Sequence, residues 1–206
     1  MKQVGLVFAT LVGFFALGAN AGEAANDTAC TIPKKLDLRA GDTTRMKQLE
    51  ISRSKGLAAA LVSDNSGERA VVSALFTNGF KPIVDRYALI GKYQCRTIKL
   101  GGIGPLVVYG WFSCEINVEE NALTIVKTTG SQRFFGLLFA AGNGLAYRGA
   151  LHYGYESEFK YYGDDEKRNQ VGCLSALDAD AMHLVLELPE PYYESQHDVI
   201  EMVRLE

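Results

Sequence analysis

Between Lys127 and Arg133 the chain reads Lys-Thr-Thr-Gly-Ser-Gln-Arg. Thr128, Thr129, Ser131, Gln132 and Arg133 gather hydrogen-bonding side chains around a Gly130-Ser131 turn, where glycine supplies the positive φ that a tight hairpin needs. Such a group can hold an anionic or sugar-like ligand; a solvated polar turn has the same composition. Lys99 joins it through strand alternation. Tyr93, Cys95, Thr97 and Lys99 share one face, so an inward Cys95 carries Lys99 inward too. A lysine in an apolar interior must reach water, a carboxylate or a bound anion. Either Lys99 snorkels to the rim, or it anchors an acidic ligand group with Arg133 nearby. The candidate ligand-binding set is therefore Lys99, Thr128, Thr129, Ser131, Gln132 and Arg133.

Other chemistries lack their residues. Gly-x-Ser-x-Gly is absent, and Ser131 has no base placed beside it. His152, His183 and His197 fall on three different strand-like segments without metal-ligand spacing, and there is no Cys-x-x-Cys. Gly101-Gly102-Ile103-Gly104 runs into a strand, where a phosphate-cradling loop needs a helix N-terminus. Asp164-Asp165-Glu166 reads as a solvated run. No catalytic residue, cofactor or metal is expected, and an enzyme is the third choice of function. Tyr153, Tyr155, Tyr161, Tyr162, Tyr192 and Tyr193 suit a ligand-stacking barrel mouth and ordinary half-buried sheet positions equally.

These side chains need a scaffold, and the first thirty residues say where it is built. Met1-Lys2-Gln3 is a basic start, Val4 to Leu17 is apolar, and Ala19-Asn20-Ala21 is an A-x-A cleavage signal. The apolar run is shorter than the ~20 residues of a membrane anchor. Asp27-Thr28-Ala29 before Cys30 does not match an acylation signal. A periplasmic or secreted product cleaved after Ala21 is expected. The chain has 206 residues, 21 basic and 24 acidic side chains. Residues 1–21 carry one of the basic ones, Lys2, so the cleaved chain has 20 basic against 24 acidic. That mild acidity gives no reason to expect nucleic acid or an anionic membrane as a partner. Cys30, Cys95, Cys114 and Cys173 all survive cleavage, and export makes disulfides the default.

After a flexible segment 22–41, a single domain is expected over 42–206, with a helical lead at 42–78 and a barrel at 91–206. Thr43 to Val62 repeats Met46, Leu49, Ile51, Leu57 and Leu61 at helical spacing, and Asp42 or Thr43 can cap it. A second helix runs from Glu68 to Phe76, ending before Asn78-Gly79. From Gly91 the period changes to two. Eight strand-like segments follow: 92–100, 106–118, 122–129, 133–140, 145–155, 169–177, 182–188 and 198–205. Mostly short turns between them imply antiparallel neighbours. The fold class is α+β: a short helical segment packed on an eight-stranded up-and-down barrel, with a sandwich as the rival.

Centring the first hairpin on Gly104-Pro105 sets Cys95 opposite Cys114, within disulfide reach. Val108, Phe112, Ile116 and Val118 then share the core face with Cys114. Ile98, Leu100, Tyr109 and Trp111 form an outer face for the helices to cover. A turn centre misplaced by one residue would flip one cysteine to the other face.

Several segments are also familiar in order: Gly91 to Gly101, Trp111-Phe112-Ser113-Cys114, Lys127 to Arg133, Tyr162-Gly163-Asp164-Asp165 with Arg168 and Gly172, and Glu194 to Glu201. Together they resemble the bacterial family called domain of unknown function 4893. The resemblance implies export and no assigned activity, and it transfers no functional residue. Gly91-Lys92-Tyr93 also resembles the Gly-x-Trp start of lipocalins, with Tyr for Trp. The leading reading is an envelope barrel that binds a small organic or acidic ligand without catalysis. The alternative is a protein–protein interaction module, an inhibitor or assembly factor, contacting its partner through loops. A hollow interior favours the first and a filled one the second.

Overall fold

A computed structural model describes Met1 and residues 30–206. The expected signal segment and cleavage site lie outside the described residues. Three helices come first: α1 (Ala40–Lys47), α2 (Leu49–Ala60) and α3 (Ser66–Phe76). The single helix expected over 43–62 is broken at Gln48, whose φ of −99° and ψ of 12° end α1 as α2 begins. Asn65 caps α3 by accepting the Glu68 amide hydrogen.

Nine strands follow: β1 (Gly91–Leu100), β2 (Leu106–Val108), β3 (Phe112–Glu119), β4 (Ala122–Lys127), β5 (Gln132–Ala141), β6 (Gly144–Tyr153), β7 (Asn169–Ala176), β8 (His183–Pro189) and β9 (His197–Arg204). All neighbours are antiparallel, and β1 pairs β9 to close the sheet. Eight strands make an up-and-down barrel, with β2 as the extra one. The expected strand 106–118 is interrupted at 109–111. β2 pairs the second half of β1 and β3 the first half, with registers that differ by one residue (Ile98↔Val108, then Cys95↔Phe112). That slip reverses the alternation. Val108 packs with the helices outside the wall, while Phe112 packs against the interior. Val118, expected in the core, is exposed at the end of β3.

The slip also corrects the cysteine register. Cys114 stands opposite Tyr93 and Cys95 opposite Phe112, two residues from direct pairing. An even shift keeps both cysteines on one face, and they form a disulfide across a Cα separation of 5.8 Å. A second disulfide joins Cys30 to Cys173 on the outer wall. From Cys30 onward the segment expected to be flexible is thus tied to the barrel, and Lys34–Leu36 forms a 3-10 turn with Leu36 buried.

The interior is packed. Tyr93, Ile116, Ile125, Tyr147, Leu174, Leu184 and Leu186 are all fully buried there with the Cys95–Cys114 bridge. Tyr147 lies where a Cβ on Gly136 or Gly149 would stand, at 2.4 and 2.3 Å from its ring and hydroxyl. Paired glycines in adjacent strands therefore make room for that ring. Leu89, fully buried, packs into the same core at the β1 entrance, where its carbonyl accepts the Tyr93 hydroxyl. Outside, α2 and α3 cover Ile98, Leu100, Val185 and Val199. Tyr109 and Trp111 remain exposed, so the helices cover only part of the face expected for them. Beneath α2, Arg53 makes a bidentate pair with Glu187 (2.6 and 2.7 Å), and His197 Nε2 lies 3.0 Å from the same carboxylate.

Candidate functional site

The two ends of the barrel differ in their connections. At one end the strands turn through 120–121, 142–143 and 177–182. Glu120 and Asn121 both have positive φ, the backbone of a tight primed turn. At the other end stand 101–111, 128–131, 154–168 and 190–196. Long loops on a rigid wall are where a barrel presents contact residues. This end bears Ile103, Tyr109, Tyr155, Tyr192 and Tyr193, each at least 40 % exposed. Tyr153 and Tyr155 stack there at 5.4 Å, and midway along the outer wall the Arg96 guanidinium lies over Trp111 at 4.4 Å.

Inside the rim the lining turns polar. Lys99 does point inward, as its alternation with Cys95 requires, and is 4 % exposed. It neither snorkels nor stands free. Its Nζ meets Glu194 Oε2 at 2.9 Å and Asp198 Oδ2 at 3.5 Å. Burial alone would lower its pKa, but Asp198 and Glu194 outweigh that and hold it above the usual lysine value. Glu194 is correspondingly held below the usual carboxylate range by the hydrogen bond from Lys99. Burial lifts Asp198, although Lys99 and the Ser195 hydroxyl, donating at 2.5 Å, oppose it. The void beside this cluster is only ≈ 40 Å³ and is bordered by Tyr192 and Tyr193.

A second lysine is buried here. Lys127, also 4 % exposed, donates to the Gln132 carbonyl at 2.8 Å and lies 4.2 Å from the Phe112 ring centre. Among the described residues no carboxylate pairs with it. Burial, then repulsion from Lys99 and Arg133, brings its pKa down to about 8.

The structure brings the candidate residues to one rim but gives them different work. Gln132 points inward and its amide reaches both oxygens of Glu194 at 3.4 Å. Thr128 donates to the Ser113 carbonyl and Thr129 accepts the Ser113 amide hydrogen, so both stitch β4 to β3. Ser131 is exposed, and its carbonyl accepts Gly154 N–H. Arg133 lies on the outer wall, one residue out of phase with the inward Phe134, and donates to the Gly130 carbonyl. The pairing of Arg133 with Lys99 around one ligand is thereby corrected: Lys127 and Gln132 are the inward groups. Alternation back from Phe134 would have found Gln132. Nothing local marks Glu194 or Asp198 as partners of Lys99.

One constellation resembles catalytic geometry. Ser52 Oγ lies 3.0 Å from His197 Nδ1, and His197 Nε2 lies 3.0 Å from Glu187. All three residues are 0 % exposed beneath α2. The Ser52 oxygen also contacts the Gln196 carbonyl at 2.8 Å and accepts the Glu190 amide hydrogen. A hydroxyl so enclosed has no approach for substrate, and the group serves to seat α2 on β8 and β9. Among the described residues no cluster of metal-ligating side chains occurs.

The model of the family described as Domain of unknown function (DUF4893) matches residues 35–202, which takes in the helices, the rim and nearly all of the barrel. No curated protein matches the chain.

Proposed function

Since the chain belongs to the DUF4893 family of domains of unknown function, we propose, from its geometry, that it is a non-catalytic interaction module of the cell envelope. Its long-loop rim is the contact surface for a protein partner. The observation that carries this is the filled barrel, in which the buried lysine Lys99 is already met by the chain's own Glu194 and Asp198. A void of ≈ 40 Å³ holds about one water and no small-molecule ligand. Exposed aromatic side chains at the rim are the kind that anchor protein interfaces. Two disulfides support export behind the A-x-A signal.

The test is position-resolved crosslinking in the native host. A photoreactive residue replaces Tyr109, Tyr155 or Tyr192 at the rim, or Asn121 or Asn143 at the tight-turn end. The same discrete adduct from the rim positions, with none from the far end, is expected. Equal labelling from both ends, or a small molecule retained stoichiometrically in native mass spectrometry, would overturn the reading. The intact mass of that product should begin after Ala21.

A further inference from the structure

We propose that the Lys99 end of the barrel is a receptor for a carboxylate, and that Glu194 is the chain's own exchangeable occupant of it. The Glu194 carboxylate takes Lys99 Nζ at 2.9 Å and the Gln132 amide at 3.4 Å. An ammonium and a side-chain amide converging on two oxygens are the contacts an organic acid would make.

The occupant can leave without the loop moving. Glu194 is held through its backbone, because its carbonyl accepts Ile103 N–H at 2.9 Å and Gln196 N–H reaches the Leu100 carbonyl at 3.1 Å. Gly102 permits that close seat, since a Cβ there would meet the Glu194 carbonyl oxygen at 2.1 Å. The Glu194 side chain is 35 % exposed, against 5 % for Lys99. Rotation about its own side-chain bonds takes the acid into water and leaves Lys99 with Asp198 alone.

With Glu194 rotated out, the seat is left cationic, because Lys127 and Lys99 repel each other there. Lys127 is buried with a single hydrogen bond, to the Gln132 carbonyl, and no carboxylate partner among the described residues. An uncompensated buried ammonium is costly, and an anion arriving nearby offsets that cost. Asp198 cannot serve fully, because burial already opposes its charge. The body of the incoming acid would lie outward, against Tyr192 and Tyr193 beside the small void. The carboxylate belongs either to a free organic acid or to an acidic side chain of a partner. This seat does not depend on the rim having a protein partner, since a free acid tests it alone.

The experiment uses the oxidised, signal-cleaved protein with ¹³C-labelled lysine, following the ε-methylene signals of Lys99 and Lys127 by NMR. Sodium acetate is titrated against sodium chloride at constant ionic strength, and a blocked hexapeptide with one glutamate forms a second arm. Saturable shifts are expected, with the Lys127 midpoint moving upward as the anion binds. Glu194→Gln removes the internal competitor and should tighten binding about tenfold. Lys127→Met should weaken it about tenfold while circular dichroism shows the fold retained. Tighter binding of the peptide than of acetate assigns the seat to a partner's side chain, and equal or weaker binding assigns it to free acids. Chloride reproducing the shifts, or no saturable change in Glu194→Gln with either carboxylate, overturns the proposal.

Discussion

Replacing Arg53 with Met should destabilise the protein by about 3–5 kcal/mol, because it strands a carboxylate inside the structure. Glu187 is 0 % exposed and its Arg53 partner only 10 %. Both carboxylate oxygens take a guanidinium nitrogen, at 2.6 and 2.7 Å. Burial alone would raise the pKa of Glu187, but the His197 and Arg53 hydrogen bonds outweigh it and hold it below the usual value. The Arg53 guanidinium carbon also lies 6.0 and 5.1 Å from the Phe76 and Phe80 ring centres, so methionine removes that cation–π contact together with the ion pair while keeping an unbranched apolar stem. At about 2–4 °C per kcal/mol for a chain of this size, the midpoint should fall by roughly 6–20 °C. Glu187→Met alone leaves Arg53 and His197 facing an apolar side chain and should cost a similar amount. The double variant strands only His197 Nε2, at about 1–3 kcal/mol. It should therefore be more stable than either single variant, which a urea double-mutant cycle followed by far-UV circular dichroism measures. The sign with pH follows from the lowered pKa. The stability Glu187 contributes is complete above its unfolded pKa and is lost as pH falls from there through its folded value. A double variant as unstable as Arg53→Met, or a single variant within ~1 kcal/mol of wild type, would show that the pair does not seat α2.

The two disulfides should separate by the loops they close. With sequence separations of 143 for Cys30–Cys173 and 19 for Cys95–Cys114, the chain-entropy relation gives about 5 and about 3 kcal/mol for the respective Ala pairs. Urea unfolding of both variants checks this, and the reverse order would mean that interior packing around Cys95 dominates. Lys127 should make stability rise between about pH 8 and the ordinary lysine range, since its folded pKa is lowered and the unfolded chain binds the extra proton. The stability of wild type relative to Lys127→Met, measured from pH 7 to 10, should climb across that window; a flat difference refutes the buried, unpaired ammonium.

Much of the fold was legible in period and punctuation. Alternation from Gly91 onward predicts seven of the eight barrel strands to within a few residues, because the hydrogen-bonded wall imposes period two wherever one face is buried. The segment 106–118 reads as one strand because Tyr109-Gly110-Trp111 carries no proline or charge to signal the one-residue slip. The same arithmetic places Lys99 inside and joins Cys95 to Cys114, since an error of two residues in register leaves both on one face. Gln48, a good helix former, likewise hides the break between α1 and α2.

What sequence by itself determined, then, is local: the strand period, the turns, the inward side of Lys99, and the cysteine pair within one hairpin. Tertiary structure alone decided what Lys99 meets and whether the barrel is hollow. Glu194 and Asp198 lie far along the chain from it and come alongside only when β9 closes on β1. Cys30 finds Cys173, and Arg53 finds Glu187, across similarly long stretches of chain. Interior volume depends on how Tyr93 and Tyr147 turn their rings across the barrel, over the space left by Gly136 and Gly149. Period and composition constrain neighbours in the chain; a sum of side-chain volumes inside a closed wall is a property of all the strands at once.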